Sequence, residues 1–180
     1  MFDVTRSFDL PILDWIAEHL WCPVLDAVMP AVTHLGDGGI LWIALAMLLL
    51  CLPKYRKTGL AMGIALLMGL LVCNLWLKPW VGRLRPFDYQ LQQYGKVIPL
   101  LIQAPADFSF PSGHTIASFE AATVLLLRHK KWGIPAAILA VLIAFSRLYL
   151  YVHFPTDVLV SMVLGISFGF GANAIVKAIK

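Results

Sequence analysis

Three short segments of this chain carry residue types suited to holding a phosphate and moving its phosphoryl group: Lys78 to Arg85-Pro86, Pro111-Ser112-Gly113-His114, and Ser146-Arg147 through His153 to Asp157. Lys78 and Arg85 flank Pro79, Gly82 and Arg83, so two cations can converge on one anion. Ser112 is a natural N-cap for the apolar run that follows, and Gly113 leaves backbone N–H groups open at a helix N-terminus, a ready anion site. His114, in the first turn, is placed to give a proton to a leaving oxygen. His153 and Asp157 are four residues apart around Pro155. If a helix starts near Phe154, Asp157 can accept a hydrogen bond from one imidazole nitrogen of His153 and leave the other nitrogen's lone pair free as a nucleophile. Each piece also has an ordinary reading: snorkelling for a lysine at a helix end, a simple cap for Ser-Gly, a surface cap for His-Asp. Their number in one chain favours the chemical reading. Arg83 stays ambiguous between phosphate contact and snorkelling.

The elements that must position these residues are apolar. The chain has 180 residues, 60% hydrophobic and only 13% charged, a composition of the bilayer rather than of a soluble domain. Apolar runs near Gly38–Pro53, Thr58–Leu77, Thr115–Leu127, Trp132–Phe145 and Val158–Ala178 predict an all-α polytopic bundle with five clear spans. Over residues 8–35, Asp14, Glu18, His19, Asp26 and His34 interrupt the apolar pattern, and Pro23 and Pro30 break it. An amphipathic helical hairpin is expected there, lying in the interface or forming a sixth crossing. The expected division is an N-terminal segment, 1–36, and a single membrane-embedded core, 37–180.

Orientation follows from the basic loops. Lys54, Arg56 and Lys57, then Arg128, Lys130 and Lys131, then Lys177 and Lys180 fall on one side when five spans are threaded, which the positive-inside rule makes cytoplasmic. All three chemical segments then share the external side. The net charge of +4 sits in short clusters between apolar runs, which points to lipid head groups rather than nucleic acid. Cys22, Cys51 and Cys73 have neither metal-ligand nor disulfide-framework spacing and read as small apolar residues. Met1-Phe2-Asp3-Val4 has no basic region leading into an apolar stretch, so a cleaved signal peptide is not expected. Asp37, Asp88, Asp107 and Asp157 form no recognisable divalent-ion set, and no metal or cofactor is expected. Glu120, inside an apolar run and six residues from His114, is off that histidine's face and reads as a structural hydrogen bond. Asn74, one turn before Lys78, is placed to orient that lysine. Phe87, Tyr89 and Tyr94 read as interfacial anchors.

The three motifs, Lys78-Pro-Trp-Val-Gly-Arg-Leu-Arg85-Pro86, Pro111-Ser112-Gly113-His114 and Ser146-Arg147-Leu-Tyr-Leu-Tyr-Val-His153-Phe-Pro-Thr-Asp157, together resemble the type 2 phosphatidic acid phosphatase superfamily, whose fold the vanadium haloperoxidases share. The likeness runs from about Gly38 to the end of the sequence. It implies a metal-independent phosphatase in which His153 forms a phosphohistidine, Asp157 positions it and His114 protonates the leaving oxygen. Lys78, Arg85, Ser112, Gly113 and Arg147 would then hold the phosphoryl oxygens. The implied substrate is a lipid phosphate or diphosphate at the outer face of the cell membrane: undecaprenyl diphosphate first, phosphatidylglycerophosphate or phosphatidic acid next. No obligate protein partner is evident. A lipid-phosphate transporter that binds without turnover, and a phosphotransferase that passes the group to another lipid, are the competing expectations.

Overall fold

A computed structural model describes residues 4–179. Lys180, one of the expected cytoplasmic charges, and Met1, Phe2 and Asp3 of the signal-peptide reading lie outside the described residues. Among those described the regular elements are all helical. A π-helical turn, Thr5–Asp9, leads into α1 (Leu10–Leu20), and a break at Trp21 and Cys22 precedes α2 (Pro23–His34). Pro23 sits in the first turn of α2, where its missing N–H costs nothing, and Pro30 is accommodated inside the helix. After a 3-10 turn at Asp37–Gly39 come α3 (Ile40–Cys51) and α4 (Arg56–Gly69). The latter continues through a π-helical stretch, Leu70–Leu77, into α5 (Lys78–Val81). Then follow α6 (Pro86–Tyr94), α7 (Gly113–Arg128), α8 (Lys130–Tyr149) and α9 (Pro155–Ala178).

Helix α7 is the axis of the bundle. Ten of its residues are buried, from Thr115 to Leu125, on every face, as a helix surrounded by others must be. It packs against α4, α8 and α9, and a core of Trp42, Ala65, Phe119, Val124, Ile143 and Val158 joins five helices. The outward faces of α3, α8 and α9 expose Ile43, Met47, Ile138, Val163 and Phe170, an apolar surface fit for lipid.

The expected five separate spans are not what length and composition single out. Among the described residues four helical stretches qualify: 23–51, 53–94, 130–149 and 155–178. Most of the Gly38–Pro53 run falls in the first, and the Thr58–Leu77 run falls in the second. The Thr115–Leu127 run became α7, whose 16 residues are short for a lipid-facing span and which the other helices enclose.

Helices α1 and α2 attach at one end of this bundle. Asp14 accepts from the Tyr151 hydroxyl (2.9 Å), Asp26 from the Tyr149 hydroxyl (2.6 Å), and the Trp21 indole donates to the Tyr149 carbonyl (3.0 Å). Their apolar faces close over the end of α8 and the loop after it: Ile16 and Met29 cluster with Tyr149, Leu150 and Val152, and Leu13 with Tyr151 and Phe154.

Candidate active site

The three motifs meet at that same end. Lys78, Arg85, Gly113, His114, Arg147 and His153 line one cavity of about 1090 Å³. Its wall continues away from the cations between α3 and α4, past Met47, Leu50, Leu66 and Leu67. Of the expected site residues, Ser112 and Asp157 are not on this wall. The Ser112 hydroxyl instead accepts from the Thr115 amide (3.4 Å) and hydroxyl (3.0 Å), capping α7, and its own amide donates to Ser161 (2.8 Å). Asp157 lies behind His153.

His153 sits in the loop between α8 and α9, 1% exposed. Two backbone amides, Val152 (3.2 Å) and His153 (3.3 Å), donate to the Arg147 carbonyl and turn the chain back on the end of α8. Tyr151 adopts φ of 58°, the left-handed region, and its hydroxyl is held by Gln90 (2.8 Å) and Asp14 (2.9 Å). Such a backbone costs about 1–3 kcal/mol and persists only where surrounding contacts fix it. Arg85 donates to the Val152 carbonyl (2.7 Å) and toward His153 Nε2 (3.2 Å). With Nε2 thus an acceptor, the proton belongs on Nδ1, which faces Asp157 Oδ2 at 3.6 Å. That is longer than the expected hydrogen bond, for a clear reason: Asp157 is already engaged. Its Oδ2 accepts from Ser109 Oγ and the Phe154 amide (2.9 Å), and its Oδ1 from Arg83 (2.5 Å). Burial, with Arg85 and Arg147 nearby, pushes the His153 pKa down to about 3 against the pull of Asp157, which keeps the imidazole neutral.

Arg83, ambiguous in the sequence, is a brace. It joins Asp157 to Asp9 (2.5 Å), Thr156 (2.8 Å) and Thr5 (2.9 Å), and stacks over the Phe154 ring at 4.0 Å. Asp9, fully buried, also accepts from the Thr156 amide (2.9 Å). Nothing in the sequence marked Asp9 except a charge just before an apolar run.

Two further carboxylates organise the cations. Asp107 accepts from Lys78 (2.5 Å) and from Arg85 Nη2 (2.5 Å), and its carbonyl takes Arg85 Nε (2.8 Å). Partial burial would raise the Asp107 pKa, but Lys78 and Arg85 hold it well below the usual carboxylate range. Asp37 bonds His114 Nε2 (2.9 Å) and His34 Nδ1 (2.7 Å), linking the cavity histidine to an exposed one. Both aspartates were visible in the sequence only as carboxylates without metal spacing. The bonds that bring them to the cavity, Asp107 to Lys78 and Asp37 to His114, span 29 and 77 residues, beyond any local pattern. Arg147, 3% exposed, donates to Thr33 (2.5 Å) and keeps its Nε unpartnered beside the cavity.

An all-helical bundle with an apolar exterior, whose one end gathers three histidines, His34, His114 and His153, and three cations around one cavity, defines a membrane-embedded protein built to hold an anion. The chain belongs to the PAP2 superfamily, which it matches over residues 57–180. It is 36% identical to the undecaprenyl-diphosphatase of Sulfolobus acidocaldarius over 69% of this chain and 58% of that protein, and so spans little more than half of that relative's length. It is 34% identical to the undecaprenyl-diphosphatase BcrC of Bacillus subtilis over 82% of this chain and 72% of that one. The crystal structure of the PAP2-type phosphatidylglycerolphosphate phosphatase from Bacillus subtilis superposes with a TM-score of 0.78 at 30% identity, over 99% of this chain and 89% of that chain. The protein is a multi-pass membrane protein of this fold.

Proposed function

We propose that this chain is a phosphatase of lipid phosphates, with undecaprenyl diphosphate as its first substrate, acting at the outer face of the cell membrane through a phosphohistidine on His153. The observation that carries this reading is a neutral, buried imidazole whose free nitrogen lies beside Arg85 in a cavity shared with Lys78 and Arg147. In the first step Nε2 of His153 attacks phosphorus and the bond to the leaving oxygen breaks, His114 giving that oxygen its proton. Lys78, Arg85, Arg147 and the Gly113 amide neutralise the equatorial oxygens, which carry most of the charge in such a transition state. Water then attacks the phosphohistidine, His114 takes its proton, and phosphate leaves. Asp157, fixed by Arg83 and Ser109, offsets the positive charge that develops on His153.

The relatives named as undecaprenyl-diphosphatases favour a diphosphate on a polyprenyl tail, and the wall between α3 and α4 offers that tail a route into lipid. Phosphatidylglycerophosphate and phosphatidic acid come second, because the cations contact phosphate alone. We read five crossings, α3, α4 with α5, α7, α8 and α9. We keep the division into an N-terminal segment, 1–36, and a core, 37–180: among the described residues Asp9, Asp14 and Asp26 of the segment bond Thr156, Tyr151 and Tyr149 at the end of the core that carries the cavity. Purified protein in detergent with a chelator, offered a panel of lipid phosphates, tests the reading. Release of phosphate, fastest from undecaprenyl diphosphate and lost in His153→Ala, is expected. Tight binding with no release from any lipid contradicts it and leaves the transporter reading, while transfer to an added acceptor lipid marks a phosphotransferase.

A further inference from the structure

Two buried polar side chains on the cavity wall serve none of the roles above. Glu120 is 1% exposed and its Oε1 has no hydrogen-bond partner, and Asn74 Oδ1 is likewise buried and unpartnered. Both line the cavity, and among the described residues Glu120 is in no ion pair. An unsatisfied polar group in a low-dielectric interior costs about 1–3 kcal/mol, so a ligand that supplies the missing bonds is favoured there. Backbone geometry makes room for them. A Cβ on Gly69 would meet Glu120 Oε1 at 2.3 Å, and one on Gly113 would meet Asn74 Oδ1 at 3.1 Å. The π-helical stretch, with its i to i+5 bonding, separates Gly69 from Asn74 by one turn and turns Asn74 and Lys78 to the same cavity.

The order along the wall is therefore Lys78 and His114, then Asn74, then Glu120. Six residues separate His114 from Glu120, about 9 Å along the axis of α7, and Asn74, which faces Gly113, is the nearer of the two polar groups to the cations. This places a polar strip immediately on the tail side of the attacked phosphate. A purely hydrocarbon tail would leave it unsatisfied. A second phosphate, one bridging oxygen away from the first, falls on it.

We propose that Asn74 and Glu120 form the seat of the tail-proximal phosphate of a lipid diphosphate, and so determine preference for diphosphates over monophosphates. The inference rests on the proposed phosphatase reading. Asn74 donates through its amide, with its oxygen and nitrogen exchanged relative to the assigned orientation, and Glu120 donates as the neutral acid.

The experiment compares kcat/KM for farnesyl diphosphate and farnesyl monophosphate in detergent. The diphosphate-to-monophosphate ratio is expected to fall at least about tenfold in Glu120→Leu and, independently, in Asn74→Ala, each lost charged hydrogen bond being worth about 1.5–3 kcal/mol. Glu120→Gln keeps a donor and is expected to recover most of the ratio. An unchanged ratio in both Glu120→Leu and Asn74→Ala, or a Gln variant as low as the Leu variant, overturns the assignment. A wild type that cleaves neither lipid removes the phosphatase reading and this inference with it.

Discussion

His153 owes its place to neighbours spread over the whole sequence, and the expected effects of substitution follow from them. In the proposed cycle His153→Ala abolishes turnover, while His114→Ala lowers kcat by about 10²–10⁴, the range for a lost general acid. Arg83 binds two fully buried carboxylates, Asp9 and Asp157. Removing one partner of such a buried group costs about 3–5 kcal/mol, so Arg83→Ala is expected to lower the thermal midpoint sharply even though Arg83 is off the cavity wall. The pH dependence has a sign for each group. His153 is depressed in the fold, so between its ordinary value of 6.5 and about 3 the unfolded chain binds a proton the folded chain refuses, and stability declines as pH falls through that window. Asp107 is depressed too: its pairs with Lys78 and Arg85 contribute above the ordinary 3.8 and weaken as pH falls below it. Thermal melts from pH 7 to 3 should show Asp107→Asn losing less stability than wild type in the lowest part of that range. Local spacing revealed Lys78, Arg85, Gly113, His114, Arg147 and His153, all of which line the cavity. It did not reveal that Asp157 spends its oxygens on Arg83, Ser109 and Phe154. Those bonds join residues far apart in sequence, where periodicity carries no signal.

At the scale of elements, the site depends on how closely α9 lies against α7. Ser161, Gly165 and Gly169 recur every four residues on the inner face of α9. A Cβ at Gly165 would meet the Ile116 carbonyl at 2.8 Å, and one at Gly169 would meet Thr123 Cβ at 2.7 Å. This small-residue stripe lets the backbones approach, as in other membrane helix pairs, and it carries Asp157 to the level of Ser112 through the Ser161 bridge. Gly169→Leu is expected to destabilise by about 1–3 kcal/mol through overpacking and to lower activity, although residue 169 is three turns from Asp157. Unchanged melting and turnover in that variant would mean the helices can separate without disturbing the site. The apolar runs disclosed that these helices exist but not which faces meet. The π-helical stretch at Leu70–Leu77 was illegible for a related reason: apart from Asn74 its residues are as apolar as those of the α-helix before it, and an apolar run carries no mark of its hydrogen-bond spacing.

For the whole molecule, sidedness is the property that connects fold to substrate. The basic residues Lys54, Arg56, Lys57, Arg128, Lys130 and Lys131 cluster where α3 gives way to α4 and α7 to α8, at the helix ends away from Lys78, His114 and Arg147, and α1 and α2 pack over the cavity end. In intact cells carrying a Cys-free background, a membrane-impermeant thiol reagent is expected to label Lys96→Cys and spare Lys130→Cys. The reverse pattern would turn the site toward the cytoplasm. The span count was only partly legible because α7 is enclosed by protein and its apolar run is shorter than a lipid-facing crossing needs. The proposed intermediate is covalent, so the most direct measurement is a rapid quench in base that traps protein-bound phosphate from a terminally labelled lipid diphosphate in the presence of chelator, since phosphohistidine survives base and is lost in acid. The account expects a base-stable, acid-labile label on the wild type that is absent from His153→Ala. Label of equal amount on His153→Ala, in a variant that still turns over, would contradict it.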